Sequence, residues 1–122
     1  MGERDEHPHI LGDWDRVFDA LADPARRYLI QYLHARETPV SLTELTAALA
    51  GRVLDIPPNQ VDTRTKERTA VGVVEEHLPK LEAANLVSVS RETVTLTEHA
   101  EQLPLFTSTY RGVVRPREEN EG

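Results

Sequence analysis

His77-Leu-Pro-Lys-Leu-Glu-Ala-Ala-Asn-Leu-Val-Ser-Val-Ser-Arg-Glu-Thr-Val-Thr-Leu-Thr97 changes its period partway along, and that change decides the fold. As far as Ala84 the apolar residues keep helical spacing. Together with the residues just before it, the run contains Val71, Val74, Leu78 and Leu81, spaced 3, 4 and 3 apart. Residues 65–84 are therefore predicted to form one long amphipathic helix with that line turned inward. Pro79 removes one hydrogen bond and crowds the carbonyl four residues back, which predicts a kink or break near residues 75–78. Asn85 tolerates the left-handed conformation that stops a helix. Beyond it, residues 86–90 and 93–97 alternate apolar and polar side chains on either side of Arg91-Glu92, the pattern of a β-hairpin.

Shorter helices are predicted upstream. Trp14, Val17, Phe18 and Leu21 fall at i, i+3, i+4 and i+7 behind Asp13 as a cap. Asp23-Pro24 ends that helix and opens a second, which carries Tyr28, Leu29, Tyr32 and Leu33 and stops near Glu37. At this spacing the aromatic residues Trp14, Phe18, Tyr28 and Tyr32 read as core. Val40-Ser41-Leu42 is a short extended piece. A third helix over 43–50 turns Leu42, Leu45, Ala48 and Leu49 inward, with Gly51 as its end. Residues 52–63 contain Pro57-Pro58 and form a connecting loop. At the other end Thr97 caps a short segment through His99, Ala100 and Leu103, interrupted by Pro104. Residues 1–12 read as a loose polar arm, 98–112 as a C-terminal segment, and 113–122 as a disordered tail with little to bury.

The predicted chain is mainly α with a small β-hairpin. Three helices, a short strand between the second and third, a long fourth helix and a two-stranded wing follow the order of a winged helix-turn-helix domain over residues 13–97. The stretch Phe18-Asp-Ala-Leu-Ala-Asp-Pro-Ala-Arg-Arg-Tyr-Leu-Ile-Gln-Tyr-Leu33 closely resembles the opening of the arsenic-repressor (ArsR) type of winged-helix transcriptional regulators. Residues 77–87 resemble the end of their recognition helix and the beginning of the wing. Closer still is the resemblance to small winged-helix proteins of halophilic archaea, which share the His-Leu-Pro-Lys-Leu run and form a domain family of unassigned function. The resemblance implies a cytoplasmic, DNA-binding transcriptional regulator. It also implies a homodimer paired through the first helix and the C-terminal segment, here Trp14, Val17, Leu103, Phe106 and Tyr110. The metal-sensing cysteines of the regulators have no counterpart in a chain without Cys, so no metal site or other cofactor carries over. On the groove-facing side, where the regulators often carry Ser, Thr or Arg, this chain has Val73, Glu75 and Glu76.

Charge bears on the partner. Among 122 residues, 14 Lys+Arg stand against 21 Asp+Glu, a formal charge of -7 that speaks against a general polyanion binder. The acid is unevenly placed: residues 1–63 hold six basic and eleven acidic side chains, whereas 64–96 hold five of each. Only Lys66 and Lys80 are lysines, and an acid-rich, lysine-poor composition suits solubility in concentrated salt. The least acidic part of the chain is thus the part that would read double-stranded DNA. The expected phosphate contacts are Arg64, Lys66, Arg68 and Arg91, with Thr69, Val73 and Glu76 facing bases and His77 and Lys80 completing the same face. Arg26 and Arg27 read as partners of Asp19 or Asp23 in surface ion pairs. The alternative is an interaction module whose acidic fourth-helix face docks a basic protein. A catalytic reading finds no support, since the chain has no Gly-rich phosphate loop, no His-Glu-x-x-His helix and no serine elbow. No apolar run approaches the roughly 20 residues that span a bilayer.

Overall fold

The computed structural model describes residues 14–37 and 39–106. The expectations placed on the arm 1–12, Asp13, Tyr110 and the tail lie outside the described residues. Residues 14–20 form α1, followed by α2 (Pro24–Arg36), β1 (Val40–Ser41), α3 (Leu42–Leu54) and a 3-10 turn (Pro58–Gln60). Then come α4 (Thr63–Gly72), a π-helical segment (Val73–His77), α5 (Leu78–Ala83), β2 (Val87–Ser90), β3 (Thr93–Leu96) and α6 (Glu98–Gln102). The protein is mainly helical with a small antiparallel sheet. Among the described residues no helix is long and apolar enough to cross a membrane.

Local chemistry sets most of these boundaries. Asp23 caps α2 by accepting from the Ala25 amide at 2.7 Å, and Pro24 needs no amide partner in the first turn. Glu37 closes that helix in the left-handed region at φ 63°. The Ser41 hydroxyl accepts from the Glu44 amide at 3.0 Å, so α3 opens at Leu42 rather than Thr43. Asn85 stops the α4–α5 run at φ 59°, as expected. The Thr97 hydroxyl likewise accepts from the Ala100 amide at 3.0 Å to start α6.

The sheet has three strands, not two. Beyond the β2–β3 hairpin (Val87↔Leu96, Val89↔Val94), β1 pairs antiparallel with β3 through Val40↔Val94 and Ser41↔Thr93. Two residues are too few to announce a pairing partner in sequence. The pairing places Val40, Val87 and Val94 over a core of Leu29, Ile30, Leu45, Leu81, Leu86 and Leu105.

Three other expectations are corrected. Phe18 is not core: α1 buries Val17, Ala20 and the following Leu21, and Phe18, one position beyond Val17, points away and is 54% exposed. Tyr28 and Tyr32 sit half-buried at the edge of the core. Gly51 does not end α3, which runs on to Leu54 and is closed by Asp55 at φ 60°. The glycine serves close approach instead, because a Cβ there would lie 2.7 Å from the Ile56 carbonyl oxygen and 3.2 Å from the Pro58 Cα. Gly72, in contrast, has nothing within 4 Å of its missing Cβ. Gly51→Ala is therefore expected to destabilise the protein by about 2 kcal/mol through overpacking. Gly72→Ala is expected to stabilise it by about 0.5–1 kcal/mol through backbone entropy. Chemical denaturation of the two variants checks the opposite signs.

The largest correction concerns the α4–α5 run. Its predicted inward line, Val71, Val74, Leu78 and Leu81, holds only at its C-terminal half. Val71 is 54% and Val74 46% exposed, whereas Val73, predicted to face outward, is 0% exposed. The buried residues Val73, Leu78 and Leu81 are spaced 5 and then 3 apart. That fits the extra residue of a π turn, which rotates everything before it by about 100° relative to everything after. The turn lies immediately ahead of Pro79, where the sequence predicts a kink or break, and the Leu78 amide bonds the Val73 carbonyl five residues back.

A polar clamp joins α2 to α3. The Tyr32 hydroxyl donates to Glu44 Oε2 at 2.6 Å, and Arg36 reaches the same oxygen at 3.3 Å. Burial first, then the bond to Glu44, pushes the Tyr32 phenol up to about 12. A pKa raised in the folded state means stability that is complete below pH 10 and is lost as pH rises from 10 through about 12. Tyr32→Phe is expected to cost about 1 kcal/mol at neutral pH. It should also remove the late-titrating phenolate from an ultraviolet pH titration.

Candidate nucleic-acid interface

The sequence predicts its contacts on one face of the fourth helix and at the hairpin turn, and the structure divides those residues into three groups. Arg64, Arg68 and Arg91 are exposed, and none of them makes an ion pair within 4.0 Å among the described residues. Arg64 and Arg68 are four apart on α4, so they stack along one outward stripe. Glu76 is also exposed.

Lys66 and Thr69 form the second group. Both are half-buried and turn toward α3. Lys66 lines a groove of about 240 Å³ with Leu42, Thr43 and Thr46, and Thr69 lines another of about 250 Å³ with Leu49, Ala50, Val53 and Leu54, at whose outer edge exposed Arg68 also stands. Val73 lies deeper still. As a fully buried side chain it cannot touch a base, and its assignment as a base contact is withdrawn.

The third group is engaged by other side chains of the same protein, Lys80 at the surface and His77 half-buried. Lys80 Nζ lies 3.2 Å from Asp19 Oδ2 on α1. His77 Nδ1 lies 3.2 Å from Arg26 Nη1. Because a guanidinium only donates, Nδ1 must accept, which leaves the imidazole proton on Nε2. Arg26 pairs with Asp23 at 4.0 Å, one of the two partners expected, but it is not at the surface: it is 6% exposed and also donates from Nε to the Ala20 carbonyl at 2.6 Å. Its sequence signal was present, since Arg26, Leu29, Ile30 and Leu33 form one i, i+3, i+4, i+7 stripe. Asp23, Glu76 and His77 bring potential ligand atoms within 4.8 Å of one another. A metal ion there would have to displace the guanidinium that holds the His77 lone pair.

Two connections bring the hairpin turn that carries Arg91 and the first turn of α4 to the start of α3. The Glu92 carbonyl, in the hairpin turn, accepts from the Leu42 amide at 2.7 Å, so the turn abuts the start of α3. On its other side the start of α3 faces Thr63, Lys66 and Ala70 of α4 across the first groove. Arg91, held at φ 57° in the turn, and the first turns of α4 thus flank the same helix start. The amides at the α4 N-terminus are partly occupied from within. Asp62 Oδ1 accepts from the Thr65 amide at 2.7 Å, which holds its carboxyl below the ordinary carboxylate range.

The residues predicted for pairing between copies fare differently. Val17 is 2% exposed and belongs to the chain's own core, so it offers no surface. Trp14, Leu103 and Phe106 are half-buried against that core, and the Phe106 ring stacks on His34 at 3.8 Å. Helix α6 ends at Gln102, and Tyr110 lies outside the described residues. The exposed aromatic on α1 is Phe18, its ring 5.5 Å from that of Trp14.

One family model matches the chain, over residues 18–97, and is described as a domain of unknown function (DUF7344). The match runs from α1 to the cap of α6. No curated protein and no solved structure matches.

Proposed function

This chain belongs to the DUF7344 family, and on the geometry above we propose that it is a winged helix-turn-helix protein that binds double-stranded DNA as a cytoplasmic transcriptional regulator, similar to the ArsR type. In this reading α3 braces the α4–α5 run, α4 enters the major groove, and the β2–β3 hairpin is the wing. One observation carries it. Arg91 in the hairpin turn and Arg64 in the first turn of α4 lie exposed on either side of the start of α3, and Arg68 follows Arg64 one turn on, exposed beside the C-terminal half of α3. In a chain of charge -7 these three arginines are exposed and, among the described residues, make no ion pair within 4.0 Å. Such cations position a duplex without reading it. The regulator acts as a homodimer, with Phe18 and Trp14 as the surface α1 offers; it uses no metal, and its effector is left open.

Fluorescence anisotropy of the full chain with labelled duplex DNA tests the proposal. Three phosphate contacts per subunit predict a slope of log affinity against log salt of about -3 per subunit, or about -5 for the homodimer. Binding that ignores salt favours the alternative reading, a module that docks a protein. The observation behind that alternative is that Glu75 and Glu76 lie exposed on the segment following α4.

A further inference from the structure

Val71 and Val74 are two of the five large apolar residues that folding leaves exposed among those described, the others being Phe18, Val53 and Leu54. Val71 and Val74 continue the apolar line of Leu78 and Leu81, and a regular helix would have buried all four. The π turn at 73–77 instead buries Val73 and leaves Val71 and Val74 about half exposed. Both sit C-terminal to Arg64 and Arg68, and Val71 follows Arg68 along the same outward stripe. A π turn sacrifices regular hydrogen bonding and recurs at functional sites, which gives the displaced valines a use outside the core.

We infer that Val71 and Val74 are sequence-reading residues that pack against the C5-methyl groups of thymines in the major groove, so that the protein prefers sites with thymine at two neighbouring base pairs. This rests on the DNA-binding reading of the same face. Thymine is the only base that presents a methyl group in that groove, and apolar side chains are what recognise it. Val71 and Val74 are three residues apart, about 4.5 Å along a helix axis, which compares with about 3.4 Å between successive bases of one strand. Exposed charges lie on both sides of the valines, Arg68 and Arg64 one and two turns before Val71 and Glu75 and Glu76 directly after Val74, so the phosphate-facing side of the groove is the N-terminal one.

The test begins by selecting bound duplexes from a randomised library with the full chain. Each thymine of the selected site is then replaced by uracil, which removes the methyl and keeps every Watson–Crick hydrogen bond. One or two positions are expected to weaken binding about fourfold each, the worth of one buried methyl. Val71→Ala and Val74→Ala should each abolish the thymine preference at one position without lowering the thermal midpoint by more than a few degrees. Selected DNA that binds equally well with uracil throughout overturns the inference and leaves the DNA-binding reading standing. A uracil-sensitive position that both alanine variants keep also overturns it, because another residue then reads the methyl. Failure to select any duplex overturns the inference and the DNA-binding reading together.

Discussion

Replacing both Arg64 and Arg68 by Glu is expected to weaken duplex binding about a thousandfold, while the fold stays within about 0.5 kcal/mol of its original stability. Each arginine is exposed and has no ion-pair partner within 4.0 Å among the described residues, so the free protein loses little when its charge is reversed. Bound to DNA, each would make a charge-assisted hydrogen bond worth about 1.5–3 kcal/mol, and each glutamate adds repulsion. The salt slope should fall by about two per subunit. Lys66→Ala and Lys80→Ala serve as contrasts. Lys66 is half-buried along the α3 groove and Lys80 is paired with Asp19, so neither is as free to reach a phosphate. Anisotropy titrations of the three proteins at two salt concentrations would show the order. If the double reversal bound duplex as tightly as the parent, the exposure of the arginines would have no connection to DNA.

The contrast between Arg68 and Val73 shows what could be read from the sequence. Most caps and stops are legible because their signals are local: Asp23 with Pro24 and Thr97 bond amides two or three residues on, and Asn85 takes the left-handed conformation itself. The hairpin was legible because alternation survives any detail of packing. The groove-facing side of the fourth helix was not. It was derived by extending one 3.6-residue period across 65–84, and a single π turn breaks that phase, exchanging Val73 with Val71 and Val74. Arg64 and Arg68 remained exposed, but Lys66 and Thr69, placed on the same face, turned toward α3. Gly51 was misread for a related reason. A glycine in a helix pattern signals a stop by default, and only the three-dimensional path of residues 56–58 shows that it makes room for a backbone.

Arg26→Leu should produce the largest loss of stability of any polar substitution in this chain, about 3 kcal/mol, equivalent to a fall in thermal midpoint of roughly 10 °C or more. The guanidinium binds three elements at once. It takes the Ala20 carbonyl at the end of α1, reaches the carbonyl of Asp19 at 3.5 Å and lies 4.0 Å from the Asp23 carboxylate that caps α2. It also meets His77 on the π segment at 3.2 Å. Leucine fills much of the same volume but satisfies none of these acceptors, and it leaves Asp23 and Glu76 converging on His77 without the cation between them. Arg26→Lys keeps the charge yet lacks the planar fork that serves several acceptors at once, so about half the loss should remain. His77→Ala alone removes one partner and should cost about 1 kcal/mol. The double variant should cost less than the two single losses added, with a coupling of at least about 0.5 kcal/mol. Additive losses would mean that Arg26 and His77 hold the first helix and the π turn independently, and the contact between them would then have no part in fixing the phase that exposes Val71.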